Sequence, residues 1–280
     1  MPAKGEAPLL PLLLCEKLGI SFALEQSIRL SSKGILQGRY VIGIAPNQLD
    51  TCDYNEFLNC LSLPQLFRAW ATLNHKRCST LGIGFEPSVN GICYKLYFEY
   101  WHHLEERINQ ADPGQRLAWK DQQNQSLLAL VGLKWLAAEP DQWRLTHYKL
   151  WPELSRKNAQ ELIFSTAQKL WPNTPCSHNF KFIIDLAFST QACPPDLLIV
   201  NEKNSQEIIN KRQSLDICLH QSDLNLSKVS LPIGQIVSTV TGNNHTNPSN
   251  FPLWNPKAEL TLLSLGADSS GEPFVSIYFR

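Results

Sequence analysis

The sequence predicts an α+β protein whose core is a ten-stranded antiparallel β-barrel with the helices outside. Three observations predict it. Segments rich in β-branched and aromatic residues come in five pairs, helical patterns lie between the pairs, and the strands alternate polar with apolar residues. All of 1-280 is expected to form this single domain. Ten strands enclose more space than side chains fill, so a ligand-sized lumen is expected. Two open α+β layers are the alternative.

The strand pairs set the order of the barrel. The first pair is turned by Ser31-Ser32-Lys33-Gly34 and the last by Asp268-Ser269-Ser270-Gly271, both typical turn sequences. The fourth pair is irregular, because its strands lie about 25 residues apart. The polar stretch NEKNSQEIINKRQ between them is predicted to be an inserted helix or loop. The predicted pairs are 22–30 with 36–45, 80–86 with 93–101, 126–137 with 142–151, 180–188 with 214–220, and 259–267 with 273–280.

Helical patterns separate these pairs. Pro64 stands at a plausible first helical position, and 153–171 carries an apolar stripe with a period of 3.6 residues. The segment 226–241 shows a weaker helical pattern. The predicted helices are 53–60, 64–76, 101–111, 153–171 and 226–241.

Bulk composition narrows the function classes. Hydrophobic residues make up 43% and charged residues 18%, which favours a large core over disorder. The net charge is zero and no basic run occurs, so an electrostatic nucleic-acid binder is not expected. Eight scattered cysteines without C-x-x-C spacing indicate cytosolic thiols and a cytoplasmic protein with no metal site.

One N-terminal feature bears on membranes. The apolar run 9–15 ends at Cys15, but Leu14 stands where a lipoprotein signal needs a small residue. The run is also far too short to span a bilayer. No membrane partner is therefore expected.

Alternation gives the lumen a definite chemistry, because successive strand residues point to opposite faces. We expect the apolar faces to meet the helices and the polar faces to line the lumen. Strand two contributes Arg39, or Tyr40 if the phase slips by one residue. Strand six contributes His147 and Lys149, with Tyr148 on the opposite face. The remaining expected lumen residues are Glu25, Ser27, Arg29, Lys95, Tyr97, Glu99, Lys134, Lys181, Asp185, Ser214, Asp216, Cys218, His220, Ser276, Tyr278 and Arg280.

Cations recur on several of these strands, interleaved with tyrosine and histidine. Lysine supplies point charge, arginine a two-pronged donor and tyrosine a neutral donor, so together they suit a polyanion such as a diphosphate. The alternative is that these lysines are solvated residues on half-exposed strands. The sequence has no D-D-x-x-D, no G-x-x-x-x-G-K-[ST], no G-x-S-x-G and no H-E-x-x-H.

Four stretches carry a family resemblance. YKLYFEY (94–100), RQSLDICLH (212–220) and LLSLGADSSGEPFVSIYFR (262–280) resemble strands of the ABBA, or PT-barrel, aromatic prenyltransferases. The resemblance implies a ten-stranded barrel of repeated ααββ units. FALEQSIRLSSKGILQGRY (22–40) is similar to the N-terminal glutamate strand of the cyanobactin prenyltransferases. The sequence departs from the family's pattern at His220, where a tyrosine is common, and at Cys218, where a polar amide is common.

The resemblance implies transfer of a dimethylallyl or geranyl group from its diphosphate to an electron-rich aromatic acceptor. The best candidate acceptor is an indole or a peptide Trp or Tyr side chain, in natural-product biosynthesis. Glu25 would be the catalytic residue that holds the acceptor. No cofactor would be required, and Mg²⁺ would at most stimulate. The diphosphate would be bound by Arg29, Lys95, Lys149, Lys181 and Arg280, and the allyl cation shielded by Tyr97, Tyr148, His220 and Tyr278.

Two alternatives remain open at this point. The barrel could be a non-catalytic carrier or chaperone for a hydrophobic ligand such as a tetrapyrrole or lipid. Glu25 could also be no more than an ion-pair partner of Arg29, which lies on the same strand face.

Overall fold

The computed structural model describes residues 10–88, 90–101, 127–151, 155–190, 196–204, 209–242 and 255–280. Ten strands close into a barrel in the order β1-β10-β9-β8-β7-β6-β5-β4-β3-β2, and every adjacent pair is antiparallel. The predicted fold class is confirmed, and two open layers are excluded. The strands are β1 (Ala23–Ser31), β2 (Gly34–Ile44), β3 (Thr80–Ser88), β4 (Gly91–Glu99), β5 (Leu127–Leu136), β6 (Glu139–Trp151), β7 (Leu197–Asn204), β8 (Ile209–Cys218), β9 (Leu260–Ala267) and β10 (Pro273–Phe279).

The helices lie in the segments that separate the strand pairs. The patterns at 53–60, 64–76, 153–171 and 226–241 all form helices, whereas 101–111 lies outside the described residues beyond Trp101. The Ser155 side chain caps α4 by accepting a hydrogen bond from the Asn158 backbone N–H. The helices are α1 (Leu10–Leu18), α2 (Thr51–Cys60), α3 (Arg68–His75), α4 (Arg156–Leu170), α5 (Cys176–Thr190) and α6 (Ser230–Thr241).

The fourth strand pair was predicted in the wrong place. The segment 180–188 is not a strand but part of helix α5. In the polar stretch 201–213, the described residues 201–204 and 209–213 belong to β7 and β8 and not to an inserted helix or loop. The predicted second strand, 214–220, overlaps only the end of β8. The barrel therefore has ten strands, as predicted, but β7 begins at Leu197, about 17 residues after the predicted start at 180.

Two hydrophobic clusters hold the helices against the outer face of the barrel. One packs α4, α5 and α6 against β8, β9, β10 and β1. The other packs α1, α2 and α3 against β2, β3, β4 and β5. Tyr94, Leu96 and Phe98 are buried in the second cluster, so the alternating residues Lys95, Tyr97 and Glu99 face the lumen.

In the described part of the chain, no helix is both long and apolar enough to span a lipid bilayer.

Candidate active site

Two cavities in the described part of the barrel lumen share three tyrosines. The larger has a volume of about 330 Å³ and the smaller about 30 Å³. Tyr97 from β4, Tyr148 from β6 and Tyr278 from β10 line both cavities. We call these three side chains the tyrosine belt. The belt lies between two chemically opposite regions of the lumen.

On one side of the belt lies a cationic pocket, formed by Arg29, Arg39, Lys95 and Lys134 around the carboxylate of Glu86. Glu86 Oε2 accepts hydrogen bonds from Arg39 Nε at 3.0 Å and Lys95 Nζ at 2.6 Å. Its Oε1 accepts from Lys134 Nζ at 2.5 Å. Among the described residues that line this pocket, four basic side chains accompany a single carboxylate.

Burial strengthens the electrostatic interactions among the charged groups of this cluster. Glu86 and Lys95 are only 6% and 8% exposed. Burial alone would raise the pKa of Glu86, but Lys95, Lys134 and Arg39 hold it well below its usual range. Burial lowers the pKa of Lys95, and repulsion from Arg39 and Lys134 adds to that effect while Glu86 opposes it. Lys95 would gain stabilisation from a further anion in the pocket.

The tyrosine belt is compact, and Tyr97 within it stays protonated. The Tyr97 and Tyr148 rings meet edge to face at a centroid distance of 6.3 Å, and the Arg39 guanidinium lies 5.8 Å from the Tyr278 ring centroid. Burial raises the pKa of Tyr97 well above its usual value. The phenol is therefore a neutral hydrogen-bond donor, and its ring can face a cation.

A glycine on the neighbouring strand makes room for Tyr97. A Cβ atom at Gly132 would lie 2.7 and 2.8 Å from two carbons of the Tyr97 ring. This close approach requires the absence of a side chain at Gly132, which lies opposite Tyr97 in the β4–β5 register. Strand β5 therefore helps to fix the position of the belt.

On the other side of the belt lies an acidic chamber, the larger cavity. Four carboxylates line it: Glu25 from β1, Glu99 from β4, Asp216 from β8, and Asp196 immediately before β7. Trp101 and Cys218 line it as well. Burial raises the pKa of the Cys218 thiol well above its usual value, and the charges of all four carboxylates add smaller increases. The thiol is therefore protonated and is not a nucleophile.

Glu25 and Glu99 are half-buried carboxylates of this chamber whose pKa values are raised. Burial raises the pKa of Glu25, although the Thr261 hydroxyl, which donates to Glu25 Oε1 at 2.5 Å, and Arg280 oppose the shift. Burial and the charge of Glu25 raise the pKa of Glu99 to about 7. Glu99 can therefore take up a proton near neutral pH.

The raised pKa of Glu99 predicts a pH-dependent stability effect. Its pKa in the folded state lies above the unfolded value, so its ionisation costs stability as pH rises from about 4.5 to about 7. Glu99→Gln removes that cost and should stabilise the fold at pH 8 by up to roughly 3 kcal/mol. Thermal unfolding at pH 8 and pH 4 measures this. The two proteins should match at pH 4, and equal melting temperatures at pH 8 would contradict the expectation.

The structure brings most of the predicted site residues together. Arg29 and Lys95 line the cationic pocket, Tyr97, Tyr148 and Tyr278 form the belt, and Glu25 and His220 line the acidic chamber. Alternation predicts Tyr148 on the face opposite the lumen, but in the structure its side chain lines the lumen. The prediction of Arg39 in the lumen, rather than Tyr40, is also confirmed.

Three predicted diphosphate ligands lie elsewhere. Lys149 follows Tyr148 in β6 and therefore points away from the lumen. Lys181 lies on the outer helix α5, where its side chain is 50% exposed and pairs with Asp185 at 2.7 Å. Arg280 lines the acidic chamber instead of the cationic pocket, and its Nε donates to Glu259 Oε2 at 2.9 Å.

The residue that sequence reasoning missed is Glu86. It stands at the end of the predicted strand 80–86, where Leu81, Ile83 and Phe85 form the apolar face. Alternation therefore puts Glu86 on the lumen face but does not indicate its partners. Its three cationic partners come from three other strands, so only the barrel register reveals the cluster. Gly82 and Gly84, to which the sequence assigns no role, face Tyr97 and Lys95 across the β3–β4 pairing.

Solved structures share this architecture. No protein-family model matches the chain, and no curated protein does so either. The ten-stranded barrel with outer helices is the PT-barrel fold. One solved structure with this fold is 5-dimethylallyltryptophan synthase from Streptomyces coelicolor, with a TM-score of 0.51 and 12% identity over 92% of this chain and 80% of that chain.

A second such structure is NotF in complex with brevianamide F and DMSPP. It has a TM-score of 0.51 and 12% identity, over 92% of this chain and 79% of that chain. The Streptomyces coelicolor synthase has also been solved in complex with DMASPP and Trp, and that structure has a TM-score of 0.50 at 12% identity, over 92% of this chain and 78% of that chain. At such low identity the likeness concerns the fold, and function has to be argued from the site.

Proposed function

We propose that this chain is an aromatic prenyltransferase that moves a dimethylallyl or geranyl group from its diphosphate to an electron-rich aromatic acceptor. One observation carries the proposal: the lumen places a cationic pocket, a tyrosine belt and an acidic chamber in that order. This order matches the three parts of the reaction, which are an anionic leaving group, an allyl cation and an aromatic ring. Neighbours of the same fold bind DMASPP with Trp, or DMSPP with brevianamide F, which supports the proposal.

The cationic pocket would hold the diphosphate. When the carbon–oxygen bond of the donor breaks, its electron pair stays on the diphosphate, and negative charge builds there. Lys95, Lys134, Arg39 and Arg29 are positioned to stabilise that charge before it develops. Two of these four, Lys95 and Arg39, are buried, so solvent screens their charge only weakly.

The tyrosine belt would surround the allyl cation. Three rings at the boundary of the two cavities present their faces or hydroxyls to a cation formed there. The negative face of an aromatic ring attracts a cation, and a closed ring of phenols keeps water away from it. Shielding matters because water would otherwise capture the cation as an alcohol.

The acidic chamber would hold the acceptor. Glu25 or Glu99 can accept a hydrogen bond from an indole N–H or phenol O–H, which increases the electron density of the ring. The ring then forms a carbon–carbon bond to the allyl cation and loses the proton from the attacked carbon to a nearby base. Asp196 and His220 are exposed at the rim, so a peptide Trp or Tyr side chain could enter while the rest of its peptide stays outside. Peptide acceptors would fit the sequence resemblance to cyanobactin prenyltransferases.

A carrier of a hydrophobic ligand is the competing function. Its lumen would need apolar walls, and the larger cavity does include Leu130, Leu198 and Leu262. Four carboxylates line that cavity as well, however, and charged side chains line the smaller one, which a carrier of a neutral ligand has no use for. Thermal unfolding with dimethylallyl diphosphate and with dimethylallyl alcohol separates the two functions, because a bound ligand stabilises the fold by mass action. A prenyltransferase should be stabilised by the diphosphate and not by the alcohol. Mass spectrometry with tryptophan and with Trp- or Tyr-containing peptides then tests transfer, and stabilisation by the alcohol alone would favour the carrier.

The cationic pocket also predicts how the reaction depends on metal. Four cations supply charge that a magnesium ion would otherwise bring to a diphosphate. We expect appreciable product formation in excess EDTA, with added Mg²⁺ at most raising the rate. Product measured by mass spectrometry with and without chelator checks this. Complete loss of product in EDTA, restored by Mg²⁺, would show that the pocket is insufficient without the ion.

A further inference from the structure

The cationic pocket already contains an anion that belongs to the protein. Both carboxylate oxygens of Glu86 are engaged, with nitrogen atoms from three strands at 2.5, 2.6 and 3.0 Å. The remaining space in the pocket is about 30 Å³, room for two or three water molecules. A diphosphate group has nine heavy atoms and cannot enter that space. The three cations therefore cannot contact a diphosphate in the arrangement that they have with Glu86.

The same cluster would bind the reaction product too well without Glu86. Four cations would face inorganic diphosphate after the transfer, and charge-assisted contacts of this kind in a buried site dissociate slowly. A carboxylate attached to β3 can take back Arg39, Lys95 and Lys134 as the product leaves, so these cations are never left without an anion. Buried charges without a partner are costly, and Glu86 removes that cost in the empty site.

We infer that Glu86 is a resident anion that occupies the diphosphate site when it is empty, competes with diphosphate for Arg39, Lys95 and Lys134, and thereby speeds product release. This role rests on the proposed function and adds a positioning residue to it. It differs from a fixed ion-pair partner, which would keep its contacts and leave the diphosphate to bind beside the cluster.

The test is the affinity for inorganic diphosphate, measured by calorimetry in EDTA on the full chain. Glu86→Gln keeps the shape of the side chain and removes its charge. The variant should bind inorganic diphosphate about tenfold more tightly or better, because repulsion between two anions in a buried pocket is lost. Glu86→Asp keeps the charge and should stay within about threefold of the wild type. Glu56→Gln, which removes a carboxylate paired with Lys17 outside the barrel, should change nothing.

A second measurement covers the variant's own stability. Glu86→Gln leaves buried cations short of an anion, so it should unfold at a lower temperature than the wild type and gain more from added diphosphate. Equal or weaker diphosphate binding by the variant, with clear binding by the wild type, would overturn the inference and leave the proposed function intact. A variant that stays unfolded even with diphosphate would make Glu86 a structural partner and also overturn it. If neither protein binds diphosphate, the donor site of the proposed function fails with it.

Discussion

Replacing Glu25 with glutamine is expected to lower turnover by roughly 10²–10⁴-fold, the scale that a positioned acid–base group typically supplies. Glu25 lines the acidic chamber and lies on the opposite side of the tyrosine belt from Lys95 and Glu86. Donor affinity should therefore change little. Product formation by mass spectrometry and donor binding by calorimetry, both on this variant, measure the two effects separately.

The result also decides between the two roles considered for Glu25. An ion pair with Arg29 is not favoured, because four residues along a strand separate the two Cα atoms by about 13 Å. Glu25 instead accepts from Thr261, and the Arg29 guanidinium lies 3.9 Å from the Phe274 ring centroid. Full turnover with intact donor binding would end the catalytic assignment of Glu25. Loss of donor binding would move Glu25 to the diphosphate side of the lumen.

Replacing Lys95 with alanine is expected to lower kcat/KM by roughly 10²-fold or more, the scale seen when one stabiliser of developing charge is removed. Lys95 is the most buried lysine of the cationic pocket and donates to Glu86 in the empty site. Its loss should weaken donor binding and slow ionisation together, because negative charge on the diphosphate grows toward the transition state.

The structure supplies two matched controls for this experiment. Lys149 lies on the outer face of β6, and Lys181 lies on the outer helix α5. Alanine at either position removes the same charge without touching the lumen, so each variant should stay within about twofold of the wild type. If Lys95→Ala behaves like these two controls, Lys95 does not contact the diphosphate and the cationic pocket has another role.

Local patterns were enough to predict four of the five strand pairs. In each of these four pairs, both alternating strands and the short turn between them fit within about 26 residues, so each strand pairs with its neighbour in the chain. The segment 180–188 was wrongly predicted to be a strand because Phe and Ile favour strands. Yet its buried residues fall at helical spacing, and α5 follows that spacing: Phe180, Ile183, Ile184, Ala187 and Phe188.

The site was harder to predict than the fold, because it depends on phase and register. Both faces of β6 mix polar with apolar residues, and the sequence does not say which face meets a helix. In the structure Trp143 and Leu145 pack outward, which places His147 and Lys149 outside and Tyr148 inside. Glu86 meets its three cations only through the pairing of β2, β3, β4 and β5.

The pairing of β1 with β10 has a consequence for how the chain folds. Ser31 pairs with Phe274, about 240 positions later, and this ladder is the one that closes the barrel. Contacts this distant in sequence slow folding, because the loop must close before they can form. During synthesis the hydrogen-bonding edges of β1 and β9 stay open until β10 leaves the ribosome. Nascent chains with two such edges are prone to aggregate, so we expect recombinant yield to improve when translation is slowed or chaperones are supplied.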